Sequence, residues 1–175
     1  MANTQILKEV IEPELAEAFL KQHSARRLTC GRVLGMDYDL IAFSEGDLVL
    51  WLCEITASGY LGKGSRDFHV GAVRKFCEGS AKFAIAARHE QDVKNQIRVR
   101  YPEISPSEVR CHFIVPQGSR FIRALGWRRQ LLGANLMHLE ELGLSENSQR
   151  LLEQVLLQSR REQDRSETVL SKPPF

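Results

Sequence analysis

The sequence predicts an α/β protein built on a mixed central sheet with helices on both faces. Three observations predict it. Residues 38–43 and 48–56 are β-rich apolar runs around a short Gly-containing turn, and the second run is apolar on both faces up to Glu54. Segments with helical spacing alternate with further apolar runs, so consecutive hairpin strands are followed by helix-linked ones. The chain has 175 residues, 43% hydrophobic and 26% charged. That suits one core and excludes disordered, collagenous and disulfide-dense classes.

Each element has its own signal. Residues 4–23 carry Ile6, Leu7, Val10, Ile11, Leu15, Ala18 and Phe19 at helical spacing, with Pro13 set to break or kink the helix. Residues 28–36 read as a first strand. The hairpin follows, turning at Ser44–Asp47. Residues 57–65 form a glycine-rich loop (Gly59, Gly62, Gly64). A helix over 66–79 is expected to bury Val70, Val73, Phe76 and Cys77. Residues 82–88 read as a strand, 89–100 as a helix stopped before Tyr101-Pro102, and 110–115 as a last strand. From about Ser119 the chain reads as helical, including 149–159 with Leu151, Leu152, Val155 and Leu156 on one face. One domain is expected over 1–159, and residues 160–175 read as a polar, frayed tail. There is no internal repeat.

Several function classes drop out. No apolar run approaches the roughly 18–20 residues that cross a bilayer, and the first residues lack a basic-then-apolar layout, so a cytoplasmic protein with no membrane partner is expected. Cys30, Cys53, Cys77 and Cys111 form no Cys-x-x-Cys pair, and the five histidines (23, 69, 89, 112 and 138) show no His-x-x-x-His spacing. Metal binding through nitrogen or sulfur is therefore not expected, and the thiols read as reduced and mostly buried. Gly62-Lys63-Gly64-Ser65 fails the Walker pattern, because Gly64 stands where the hydroxyl residue belongs. No nucleophile–base pattern stands out around Ser58 or Ser119.

Charge is uneven. The net formal charge is +2, but residues 94–130 carry eight basic side chains against two acidic ones, and seven of the eight are arginine. Such a stretch suits a polyanion, with solvated helix faces as the plain alternative. Residues 140–170 carry four basic and seven acidic side chains. Phe121 and Trp127, among the arginines, suit base stacking, while Phe121, Leu125, Leu131 and Leu132 equally suit a buried helix face.

The acidic residues around the hairpin are the sharpest signal. Leu50, Leu52, Glu54 and Thr56 share one face of their strand, and Asp37, Asp39, Ile41 and Phe43 share one face of theirs. A two-residue turn at Glu45-Gly46 sets Asp39 opposite Leu52 and Asp37 opposite Glu54, so the three carboxylates converge. Their mutual repulsion calls for a proton, a basic neighbour or a cation, and hard oxygens suit Mg²⁺ or Mn²⁺. The plain alternative makes Asp37 and Asp39 turn residues and Glu54 the partner of an arginine.

A helix, a strand, the Asp39-bearing strand, a turn, and Glu54-Ile55-Thr56 closing an apolar strand resemble the PD-(D/E)XK nuclease superfamily. Its fold is restriction-endonuclease-like, with a helix-β-β-β-helix-β core, and the resemblance covers roughly residues 6–115. It implies a divalent-metal-dependent nuclease, with Asp39 and Glu54 as Mg²⁺ (or Mn²⁺) ligands, the Ile55 carbonyl as a third, and Glu14 or Glu17 from the first helix joining them. The implied chemistry is phosphodiester hydrolysis, expected on DNA. Arg98, Arg100, Arg120, Arg123, Arg128 and Arg129 would contact backbone phosphates, and a homodimer is compatible with so small a domain. One position departs from the pattern, since Thr56 stands where the family has lysine. The missing cation would come from Lys63 or His69, with Arg66 and Arg74 as further candidates, while helical phase directs Lys75 away from the sheet. Loss of that lysine leaves a noncatalytic nucleic-acid-binding or assembly protein as the alternative, and an unrelated small-molecule-binding α/β protein as a third.

Overall fold

The apolar run ending in Glu54 lies at the centre of a five-stranded mixed sheet, in a computed structural model that describes residues 5–57, 60, 70–134 and 136–170. The chain starts with a π-helical turn over Leu7–Ile11 that passes into α1 (Glu12–Gln22). The Glu12 N–H donates to Leu7 O, five residues back, and Pro13 falls in the first turn of α1, where its missing N–H is not needed. The proline is therefore absorbed by a wide turn.

Residues 28–36 are not one strand, contrary to expectation. Three two-residue strands stand in this region, β1 (Arg26–Arg27), β2 (Arg32–Val33) and β3 (Met36–Asp37). Leu34 and Gly35, both at positive φ (51° and 75°), turn β2 back on β3. A leucine in that conformation is uncommon, so nothing in the residue types announces the turn. Then come β4 (Leu40–Ser44) and β5 (Val49–Ile55), the expected hairpin, with all twelve strand residues buried.

The largest difference follows. Residues 82–88 are helical, part of a single α2 (Val70–Arg88). Read alone they are a short continuous apolar run between two cations, which suits a strand. Read with the preceding turns, Ala72, Phe76, Phe83 and Ala86 fall on one helical face, and all four are fully buried. Burying each phenylalanine contributes about 2–3 kcal/mol, against propensity differences of about 0.5 kcal/mol per residue, so packing decides. This face is also rotated from the one expected: Cys77 is exposed rather than inward.

The remainder is α3 (Glu90–Arg100), β6 (Glu108–Pro116), α4 (Phe121–Leu125), a 3₁₀ segment (Gly126–Ala134), β7 (His138–Leu142) and α5 (Glu146–Leu170). β7 falls in a stretch expected to be wholly helical, and α5 runs on to Leu170. Strand order in the large sheet is β1-β4-β5-β6-β7, and only β4 runs against the rest. One face packs Ile41, Phe43, Leu50, Leu52, Phe113 and Val115 against α2, α3 and α4. The other packs Leu40, Ala42, Trp51, Cys53, Ile55 and Ile114 against α1 and α5. Among the described residues, no helix is long and apolar enough to cross a membrane.

Gly79 lets α2 lie close to the sheet. A Cβ built there would meet Glu54 Cγ at 3.1 Å and Phe113 Cε2 at 3.3 Å. Phe113 is wedged between Phe76 and Phe121, with ring centroids 5.4 and 5.3 Å away, and has no room to yield. Gly79→Ala is therefore expected to destabilise the fold by about 1–2 kcal/mol, outweighing the ~1 kcal/mol helix-propensity gain. Among the described residues a Cβ at Gly71 meets nothing within 4 Å, so Gly71→Ala should be neutral or stabilising. Urea unfolding of the two variants checks the contrast.

Candidate functional site

The hairpin register is set by a four-residue turn, with Ser44 opposite Val49 and Leu40 opposite Cys53. The expected two-residue turn is thus corrected, and Leu48 takes the positive φ (53°) that the longer turn needs. The register moves by two residues, an even number, so each side chain keeps its face. Extended one residue beyond Leu40, the pairing sets Asp39 across from Glu54. Asp39 Oδ2 accepts the Ile55 N–H at 2.7 Å, which fastens the aspartate to the end of β5. Asp37 leaves the cluster: it is exposed and pairs with Arg32 at 2.9 Å across β2–β3.

Two lysines on α2 complete the site. Lys75 Nζ lies 2.8 Å from Asp39 Oδ2 and 3.7 Å from Glu12 Oε1, and also donates to the Ile55 carbonyl. Lys82 Nζ lies 2.5 Å from Glu54 Oε1 and 2.7 Å from the Asp37 carbonyl. Lys75, Gly79 and Lys82 stand at i, i+4 and i+7, one stripe along the helix. The glycine leaves room for the Glu54 side chain between the two ammoniums. Lys75 was expected to point away from the sheet. That followed from ending the helix at residue 79, which discarded Phe83 and Ala86 and set the helical phase wrongly. The stripe was the signal that would have found both lysines.

The first helix contributes Glu12, not the residues expected. Glu14 is drawn to the start of α5, where it accepts from the Ser145 N–H and from the Ser145 and Ser148 hydroxyls. Slight burial works against its ionisation, but these hydrogen bonds outweigh it and hold the carboxyl below its ordinary range. Glu17 pairs with Arg27 at the surface. Thr56 is buried, and its N–H donates to Ile114 O. Arg74 pairs with Glu78 and faces solvent. Lys63, Arg66 and His69 lie outside the described residues.

Glu54 is the most perturbed carboxyl in the cluster. Its side chain is 4% exposed; burial pushes its pKa up to about 7, Lys82 pulls it down, and the Asp39 charge adds to the rise. Glu12 is also raised, by burial first, with Lys75 opposing. Burial works against the Lys75 ammonium, but Asp39 and Glu12 outweigh it and its pKa rises. Asp39, Glu54 and Glu12 with the Ile55 carbonyl offer hard oxygens of the kind Mg²⁺ or Mn²⁺ takes, although among the described residues the three carboxylates are not gathered as closely as a ready-formed metal site requires. Lys75 is seated on two of those oxygens, so a cation fits only if the ammonium swings aside. The adjoining cleft, about 140 Å³, is lined by Lys8, Glu12, Pro13, Ala16, Arg27, Asp39 and Ile55.

The basic stretch is divided by the sheet. Arg98 and Arg100 close α3, and the following chain reaches Ser107, whose N–H donates to Leu48 O beside the start of β5. Arg120 and Arg123 follow the other end of β6, which runs parallel to β5 with Ile114 beside Ile55. β6, nine residues and about 27 Å long, lies between the two groups. Arg120 and Arg123 therefore share the end of the sheet that holds Asp39 and Glu54. Arg128 and Arg129 lie on the 3₁₀ segment, with the Arg128 guanidinium 5.0 Å from the ring of Trp127, which is 69% exposed.

The Glu54 shift has a pH consequence. The folded chain holds this proton up to about pH 7, against an ordinary value of 4.5. The stability contributed is complete below about 4.5 and is lost as pH rises through about 7. Wild type is expected to weaken over that window, and Glu54→Gln to remove that part of the slope, on the order of 1–3 kcal/mol. Urea unfolding from pH 4.5 to 8 reads it. As to relatives, the chain matches no protein-family model, no curated protein and no solved structure.

Proposed function

We propose that this protein is a divalent-metal-dependent nuclease of the PD-(D/E)XK type that hydrolyses phosphodiester bonds in DNA. Lys75 carries the proposal. It returns, from the following helix, the cation that Thr56 lacks, within 2.8 Å of the proposed metal ligand Asp39. The order of elements gives further support: α1, then β1, β4 and β5 of one sheet, then α2, then β6.

Asp39, Glu54, the Ile55 carbonyl and Glu12 would hold the ion. Bound there, it would supply a polarised phosphoryl oxygen and a water of lowered pKa. Lys82 holds Glu54 in place and favours its ionised form. Lys75, displaced from Asp39 and Ile55, offers its ammonium to the charge that develops on the phosphate. Arg120 and Arg123 are set to grip the backbone beside the site.

One observation favours the noncatalytic alternative, a DNA-binding or assembly protein on the same scaffold. The Lys75 ammonium already occupies Asp39 Oδ2 and the Ile55 carbonyl, and a permanent ion pair there would neutralise the cluster without metal.

Calorimetry with Mn²⁺ and cleavage of labelled DNA separate the two. Wild type is expected to bind Mn²⁺ and cleave, and Asp39→Asn to lose both. Lys75→Met should bind Mn²⁺ at least as tightly while cleavage falls by about 10²–10³-fold, the usual loss when one charge-stabilising donor is removed. Wild type that neither binds Mn²⁺ nor cleaves, yet binds DNA as well as Asp39→Asn does, favours the alternative. In the same DNA-binding assay, Arg120→Ala with Arg123→Ala should weaken affinity and lower the salt slope by about 2. Arg98→Ala with Arg100→Ala should change neither.

A further inference from the structure

Three ligand-bearing side chains meet on the face of the sheet that packs against α1 and α5. His23 follows the last turn of α1, His112 lies in β6 and Glu140 in β7. Their ligand atoms fall within 4.8 Å of one another. His23 Nε2 is 2.8 Å from Glu140 Oε1, His112 Nδ1 is 2.7 Å from Oε2, and Gln22 Nε2 donates to Oε1 at 2.9 Å. Both imidazoles therefore aim a nitrogen at the same carboxylate. Phe19 and Trp51 wall the cluster, and the Trp51 ring centroid lies 4.5 Å from His23 and 4.8 Å from His112.

We infer that His23, His112 and Glu140 form a second metal site, one that takes a borderline transition-metal ion such as Zn²⁺. Two imidazoles and a carboxylate are the donors such ions prefer, unlike the all-oxygen cluster at the end of β5. The sequence reading set nitrogen ligands aside because no short histidine spacing exists; here the three ligands come from distant parts of the chain, joined by the β6–β7 pairing.

Geometry asks for a modest rearrangement: the imidazole nitrogens already lie 2.8 and 2.7 Å from the Glu140 oxygens, and only the wider separations, up to 4.8 Å, have to close. Tetrahedral Zn²⁺ with bonds of about 2.0–2.1 Å holds its ligands roughly 3.3 Å apart. His23 caps α1, its N–H donating to Phe19 O at 3.0 Å, so the adjustment would come from rotation of its side chain, displacing the Gln22 contact. A second observation points to a missing acceptor. The Trp51 ring forms part of the wall of this cluster, and its buried indole N–H has no hydrogen-bond partner among the described residues, an arrangement that costs about 1–3 kcal/mol. Three protein ligands leave a fourth position for water or an anion, either of which is an acceptor.

The test uses the full chain and Zn²⁺ in competition with a chromophoric chelator. One Zn²⁺ per chain is expected, with affinity reduced about tenfold or more in His23→Gln and Glu140→Gln and unchanged in Asp39→Asn. Co²⁺ should give visible d–d absorption in wild type that is lost in Glu140→Gln. His23 is half-buried at a helix end, so His23→Gln should fold; Zn²⁺ should raise the unfolding midpoint of wild type and not of this variant. No stoichiometric uptake, or uptake unchanged in both ligand variants, overturns the site and leaves a hydrogen-bonded histidine pair.

Discussion

Burial of β5 on both faces, right up to the Glu54 carboxylate, is the constraint around which the site is built. A carboxyl in that position has lost most of its hydration, and removing one partner from a buried ion pair typically costs about 3–5 kcal/mol. The fold answers with three residues on one stripe of α2. Gly79 lets the helix approach to contact distance, and Lys82 and Lys75 bring ammoniums to either side. Burial raises the Glu54 pKa to about 7, and the two lysines oppose that rise. Structure and candidate chemistry thus depend on one close approach.

The two faces of the sheet carry different donor chemistries. At the carboxyl end of β5, hard oxygens from Asp39, Glu54, Glu12 and a backbone carbonyl gather around lysines. Behind the sheet, imidazoles from His23 and His112 share the Glu140 carboxylate inside an aromatic wall. Alternation along β6 keeps them apart, since His112 and Ile114 face α1 while Phe113 and Val115 face α2. Glu14 belongs to neither set. It ties α1 to the first turn of α5, where Ser145 also accepts the Ser148 N–H, and so steadies the helix that supplies Glu12 and His23.

Where the sequence misled, a physical reason is at hand. Residues 82–88 are a short apolar run that suits a strand, yet Phe76, Phe83 and Ala86 recur at helical spacing across Gly79, and a glycine inside a helix is easily taken for its end. That single misreading cost the strand assignment, the phase of α2 and both lysines. β7 escaped because His138–Leu142 is short and carries two glutamates in five residues. The hairpin turn was misjudged by two residues, but an even shift leaves each side chain on its own face. Asp39 and Glu54 therefore came together for nearly the reason expected, while Asp37 was taken away by Arg32.

By itself, the sequence determined the α/β class, the hairpin, the centrality of β5 and the convergence of Asp39 with Glu54. Each of these follows from local periodicity, which the chain carries wherever it folds. Only the tertiary structure decided which cations serve that cluster, which glutamate of α1 reaches it, which arginines share its end of the sheet, and that His23, His112 and Glu140 meet at all. Those pairings join residues far apart in the chain through strand order and helix phase, and such distances exist only once the sheet has been assembled.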